Sequence, residues 1–262
     1  MILDRVTITG ADDSVTPADI LAISYAFPFV EWGILVSASN VQHQSHRTRT
    51  PRFPSWHWLS ELQRMAGNMS AMRPGQPRLS LHVCGRWVRD LLLGDMTIPV
   101  GYLGGFQRIQ FNFHAEKTPC KLLLFCAALR ELRPQEFIFQ IDGAKGNAHL
   151  AAVAIADMPE STLSLTPLFD ISGGAGILPT EWPRPYMLRD GQPVYHGYAG
   201  GLSPDNLAEQ LPKIAEAAGD ARIWIDVETH VRSADDRQFD LDKVRRFLEI
   251  AAPHVTATSV PA

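Results

Sequence analysis

The sequence predicts a single-domain α/β fold, a (β/α)8 or TIM barrel spanning residues 1–262, and three observations carry that prediction. Short β-rich apolar runs alternate with longer helical patterns about eight times over, as parallel strands joined by helical crossovers require. The chain has 262 residues and 45% hydrophobic content, which suits eight such units around one core. Several runs also carry polar residues at every second position near their C-terminal ends: Thr7/Thr9, His82/Cys84, Gln110/Asn112/His114, Gln140/Asp142 and Asp226/Glu228. Strands of an open sheet covered on both faces would be apolar throughout. A closed cylinder instead turns alternate residues into its lumen and lines its C-terminal mouth with them.

Taken in order, the first strand is expected at Val6–Thr9 (VTIT), followed by a helix over Pro17–Ala26 and a second strand at Trp32–Ser37 (WGILVS). The polar, His/Arg-rich stretch SNVQHQSHRTRTPR then reads as a long loop at about 38–54, at the face where long loops carry function. A helix over Ser55–Ala66 leads to the third strand, Leu79–Cys84 (LSLHVC), and a helical stretch around Val88–Leu93 to the fourth, Ile109–His114 (IQFNFH). GYLGG, between them, lacks the GxGxxG spacing and follows no strand, so it carries no nucleotide signature. A helix over Pro119–Leu132 precedes the fifth strand, Phe137–Asp142 (FIFQID), and a weaker helix near Ala148–Ala156 precedes the sixth, Leu165–Asp170 (LTPLFD). The seventh strand is expected at Val194–Ala199 (VYHGYA), with His196 and Tyr198 packed into the lumen. A helix over Pro204–Ala218, the eighth strand at Ile223–Glu228 (IWIDVE) and a closing helix over Asp242–Ala251 complete the chain.

Composition narrows the function. With 24 basic and 28 acidic residues the net charge is −4, which offers no electrostatic footprint for nucleic acid or an anionic membrane. No apolar run approaches the roughly 18 residues that span a bilayer, and MILDRVTITG enters a strand pattern at once, so a cytoplasmic protein without a signal peptide is expected. Cys84, Cys120 and Cys126 are odd in number and lack CxxC spacing, which points to reduced thiols rather than disulfides or structural zinc. The expected partner is a small molecule, with no cofactor and no bound metal; a homodimer is compatible with the reading.

The stretch FDISGGAG, residues 169–176, places Asp170 at a strand end before a run of small residues. In a barrel that is a catalytic position, with the glycines letting a loop fold over the ligand; the alternative is a carboxylate that caps its own turn. Asp142, Asp226 and Glu228 are neighbouring carboxylates across the mouth. Such a cluster supplies an acid and a base, or binds a divalent cation, or simply pairs with Arg108, Arg222 or Arg232. His82 and Cys84 point the same way from one strand, as a replacement base or half of a metal site, or as a packed histidine and a buried thiol. His43, His46, Arg47, Arg49 and Arg52 make the loop after the second strand basic.

The last third of the chain resembles phosphoribosylanthranilate isomerase of the tryptophan pathway, in the ribulose-phosphate-binding barrel superfamily. LFDISGGAG followed by Trp182, then YAGGLSPDNLAEQL, IDVETHVRS and FDLDKVRRFLE, resemble that family's last three strand ends and closing helix. Upstream, VTITG, PRFPS and IQFNFH resemble its first strand, substrate loop and fourth strand. The resemblance implies an aldose-to-ketose rearrangement of a sugar phosphate by a cysteine base and an aspartate acid, with Asp170 as the acid. Position 9, where the cysteine would stand, is Thr9, so Cys84, Asp142 or Glu228 is the expected substitute base. Arg52 is expected to grip a substrate carboxylate, and Gly200 and Gly201 to offer backbone N–H groups to an anion. Thr9, Asn112, Gly174, His230 and Arg232 complete the expected substrate-binding set, although Glu228, Thr229 and His230 replace the family's Ser-Ser-Gly anion turn with a carboxylate. The chain therefore reads as a divergent member, an acid–base isomerase or lyase for a small anionic, sugar-like substrate. The rivals are a non-catalytic binding or regulatory barrel and a metal-dependent lyase or hydrolase built on His82, Asp142, Asp170 and Glu228.

Overall fold

The computed structural model describes residues 1–42, 51–67, 76–113, 120–131, 136–142, 164–188 and 190–256. Eight parallel strands, β1 (Ile2–Thr9), β2 (Val30–Ser37), β3 (Arg78–Cys84), β4 (Arg108–Asn112), β5 (Glu136–Ile141), β6 (Ser164–Phe169), β7 (His196–Tyr198) and β8 (Arg222–Val227), pair in sequence order, and β8 pairs with β1 to close the cylinder. Around it lie α1 (Pro17–Ala26), α2 (Ala38–Gln42), α3 (Trp56–Ala66), α4 (Arg86–Leu92), α5 (Leu122–Glu131), α6 (Leu207–Ala218) and α7 (Leu241–Ala251). This is the predicted (β/α)8 barrel. The first residues of the expected long loop form α2, and the expected helix near 148–156, His114, and the loop residues His43, His46, Arg47 and Arg49 lie outside the described residues. Among the described residues no helix is long and apolar enough to cross a membrane.

Local chemistry sets the helix starts. Thr16 Oγ1 accepts from Asp19 N while the Asp19 carboxylate accepts from Thr16 N, a capping box ahead of Pro17. Ser55 caps α3 through Trp58 N, and Asp240 caps α7 through Asp242 N and Lys243 N. α7 then buries Val244, Phe247, Leu248 and Ala251 along one stripe.

Period-two alternation in the strands divides the interior. Trp32, Ile34, Leu79, Leu81, Ile109, Phe111, Phe137, Phe139, Ile223 and Ile225 face outward into the core between cylinder and helices. Inside the lumen lies a small separate apolar cluster of Ile138, Leu168, Ala199 and Trp224. Parity corrects one expectation: Tyr198 belongs to the outer core, and His196 stacks edge-on against Phe169 and Tyr198 instead of filling the lumen. The inward position between them is Gly197, where an added Cβ would stand 2.2 Å from the Trp224 ring, so the indole fills the lumen in place of a β7 side chain.

Below the mouth the lumen is ionic. Glu31, fully buried, accepts from Arg5 Nη1 at 3.0 Å, from Arg108 Nη1 at 2.8 Å and from Thr7 Oγ1 at 3.0 Å. Arg108, 1% exposed, also pairs with Glu136 at 3.0 Å and lays its guanidinium 4.0 Å over the Trp224 ring. The arginine expected to pair with mouth carboxylates thus serves a different set deeper in the barrel, and Arg222 pairs with Asp4 at 2.5 Å.

Candidate functional site

The C-terminal mouth opens into a cavity of about 320 Å³. Every strand except β1 contributes to its lining, directly or through the loop that follows it. His82, Gln110, Gln140, Asp170 and Asp226 are each less than a tenth exposed; Cys84 and Asn112 stand beside them, and Arg52, Glu228, Thr229 and His230 form the rim.

Asp170 directly follows β6 and is 6% exposed. Its Oδ2 accepts from Gln140 Nε2 and from the Gly174 backbone N–H, each at 2.7 Å, and its Oδ1 accepts from Ser172 Oγ at 2.7 Å. The small residues after Asp170 make this possible. Gly173, Gly174 and Gly176 adopt φ of 61°, 88° and 68°, a region open to glycine, so the loop doubles back around the carboxylate and crosses the mouth. It is fastened on the far side, where His230 Nε2 donates to the Gly176 carbonyl at 3.0 Å. The loop then lies on Gly201, whose φ is 67° and whose added Cβ would stand 2.3 Å from Leu178 N. Gly201→Ala is therefore expected to cost about 1–3 kcal/mol, read as a lower denaturation midpoint. Gly200 and Gly201 line the cavity as expected, but the Ile177–Leu178 peptide covers the face of Gly201 where a side chain would stand.

Asp226, on β8, is set in opposite surroundings. Burial pushes its carboxyl well above the usual range, the charges of Glu228, Glu31 and Asp170 add to the effect, and the 2.8 Å hydrogen bond donated by Thr9 Oγ1 to Oδ1 opposes it. Thr9, expected to touch substrate, is thus corrected to a partner of Asp226. It is 1% exposed and does not line the cavity. Glu228, with 30% of its side chain exposed, is also raised by burial, against the pull of Arg52.

Arg52 reaches the rim from the loop before α3 with φ at 81°, a strained value for a side-chain-bearing residue. Its Nη1 donates to Glu228 Oε1 at 2.6 Å, its Nε to both Asp236 oxygens at 3.0 and 2.8 Å, and its backbone N–H to Asp12 Oδ2 at 2.9 Å. Arg232, expected to bind an anion in the mouth, lies off this cavity. Its donors go to the Gly10 carbonyl, to Asp12 at 2.8 Å and to Asp236 at 2.6 Å, so it ties the loops after β1 and β8 together. It lines instead a second hollow of about 330 Å³ near α7.

Cys84 lines the cavity and accepts from Asn112 Nδ2 at 3.4 Å, but burial and the nearby Glu228 charge push its thiol up to about 12. A thiol in that state does not take protons near neutral pH, which argues against it as the substitute base. Asp142 is buried just after β5 and is not among the cavity's described lining residues. Among the described residues no three or more His, Cys, Asp or Glu side chains gather as a metal-binding group, so His82, Asp142, Asp170 and Glu228 do not form one. Sequence reasoning underweighted Asp226, Gln140 and Gln110; their signal was the period-two polar pattern, which marks a lumen face without ranking its members.

No protein-family model and no curated protein matches the chain. Solved structures do. The carboxyl transferase domain (Y628A) of pyruvate carboxylase from Rhizobium etli, with pyruvate, aligns over 100% of this chain and 51% of its own at 12% identity and a TM-score of 0.50. The same domain without that substitution aligns over 100% and 50% at 14% identity and a TM-score of 0.48. The likeness is one of fold. With the closed eight-stranded cylinder, the first of these places the chain in the TIM-barrel class. The chain spans about half the length of the structures it matches.

Proposed function

We propose that this TIM barrel is an acid–base enzyme, an isomerase or lyase for a small anionic, sugar-like molecule, on a scaffold resembling phosphoribosylanthranilate isomerase. One observation carries the reading: two aspartates face a single cavity from β6 and β8, one fixed by three hydrogen-bond donors and the other set where burial favours its protonated form. Moving a proton along a carbon skeleton needs one group that takes it and one that gives it, and carboxyls in contrasting environments supply both. After three hydrogen bonds Asp170 keeps one lone-pair site on Oδ1, suited to accepting a proton. Asp226, with Oδ1 held by Thr9, keeps Oδ2 to carry and deliver one. Asp170 thus acts as base and Asp226 as acid, the reverse of the family assignment for Asp170. In this arrangement the threonine at position 9 orients the acid, and no substitute for the missing cysteine is required. At the rim, an anionic substrate group takes the place of Glu228 on Arg52.

The test is proton exchange. In D2O, with a panel of aldose phosphates, ketose phosphates and aldonates, at least one compound is expected to gain carbon-bound deuterium by mass spectrometry, and Asp226→Asn is expected to abolish the product-forming step. A panel in which compounds bind and none exchanges would make the barrel a binding module. Asp226→Asn also has a predicted stability signature. The raised folded pKa means that wild-type stability falls as pH rises from the ordinary aspartate range toward that value. The asparagine variant lacks this dependence, so its denaturation midpoint at pH 7 should equal or exceed that of wild type.

A further inference from the structure

We propose that the buried wall of the cavity made by His82, Gln110 and Asp226 is a hydroxyl-binding subsite, and that the substrate is a polyhydroxylated acid or phosphate seated with its hydroxyls inward and its anionic end at Arg52. The inference rests on the reading above for the identity of the site and adds its substrate orientation. His82 and Gln110 are register partners on β3 and β4, so their side chains enter the lumen side by side. His82 is 1% exposed and Gln110 4%, and both line the cavity. Yet His82 Nε2 and Gln110 Oε1 have no hydrogen-bond partner among the described residues. A buried polar atom left unpaired costs stability, and two such atoms on adjacent cavity-lining side chains are the mark of a site completed by its ligand.

The chemistry of these atoms selects the ligand. Gln110 donates through Nε2 to Asn112 Oδ1 at 2.8 Å, which leaves Oε1 turned to accept. Burial holds the His82 imidazole down at about 3, so near neutral pH it is uncharged and Nε2 donates or accepts according to tautomer. Asp226, whose Oδ1 accepts from Thr9, is pushed by burial toward the protonated form, in which Oδ2 donates. An uncharged acceptor, an uncharged donor and a group of either kind match hydroxyls, which both give and accept hydrogen bonds, and offer no countercharge to a phosphate or carboxylate. The charged partner is at the rim, in Arg52. Gly33 supplies the room: a Cβ there would stand 2.2 Å from Thr9 Oγ1 and 2.7 Å from His82 Cε1, so its absence lets the imidazole and the Thr9–Asp226 pair share one floor.

The experiment compares ribonate with pentanoate, an acid of the same chain length without hydroxyls, by titration calorimetry on wild type and His82→Met. Wild type is expected to bind ribonate about tenfold or more tighter than pentanoate, a preference that His82→Met loses. The ligand-free denaturation midpoint of His82→Met is expected to be unchanged or higher, because the substitution removes an unpaired buried polar atom. Equal binding of the two acids by wild type, no binding of either, or full preference retained in His82→Met would overturn the subsite. Preference without deuterium exchange leaves the subsite standing and removes the catalytic reading; exchange without preference does the reverse.

Discussion

Asp170→Asn is expected to lower turnover by about 10²–10⁴-fold, the usual contribution of a positioned proton-transfer group, with little change in the denaturation midpoint. The surroundings explain why chemistry and folding separate here. Gln140 Nε2 and the Gly174 N–H both point at Oδ2, so an asparagine keeps its carbonyl there. Its amide then faces Ser172 Oγ, a hydroxyl that turns from donor to acceptor without moving. The loop over the mouth stays in place, while the one free lone-pair site becomes an N–H and can no longer take a proton. The measurement is kcat/KM for deuterium exchange beside a chemical denaturation curve. A variant that unfolds, or one that exchanges at the wild-type rate, would show that Asp170 serves the loop rather than the reaction.

The second large effect lies below the mouth. Glu31→Ala is expected to destabilise the barrel by about 3–5 kcal/mol, the cost of stripping one partner from a buried ion pair. Glu31 has no exposed surface and neutralises Arg5 and Arg108 together; without it Arg108 keeps Glu136 as its carboxylate partner among the described residues, beside the Trp224 and Tyr195 rings. The same group sets an acid limit. Burial alone would raise the Glu31 carboxyl, but Arg108, Arg5 and the Thr7 hydroxyl outweigh it and hold it down at about 2. A carboxyl whose folded pKa is depressed stabilises the fold above its unfolded value of about 4.3, and that stability drains away as pH falls from there toward 2. The wild-type denaturation free energy should drop by on the order of 3 kcal/mol across this window, and the alanine variant should lack that part of the drop.

Much of the fold was legible because a closed cylinder imposes a rule on every strand at once. Polar residues two apart in LHVC, IQFN and IWIDVE mark a lumen face, and the apolar residues between them form the outer core. The rule failed on β7, where Gly197 and Ala199 hold the inward positions with so little side chain that His196 and Tyr198 looked like the lumen set. The site divides in a similar way. The place of Asp170 at the mouth was readable because the strand end and the glycine loop that folds around its carboxylate are contiguous. The Thr9–Asp226 bond was not, because it joins residues 217 apart across the seam between β1 and β8, and only closure brings them together. Arg232 misled for the same reason. A lone arginine near a presumed anion turn suggests a ligand, and the Asp12 that claims it lies 220 residues away.

The central claim is that the mouth holds a proton on Asp226 while Asp170 stands ready to take one, and the protonation of Asp226 is directly measurable. Carboxyl-carbon NMR on 13C-labelled protein, with the Asp226 signal assigned by its loss in Asp226→Asn, is predicted to show that carboxyl titrating well above the ordinary aspartate value of about 3.9. A signal that titrates near that ordinary value would leave the site without its acid and contradict the account.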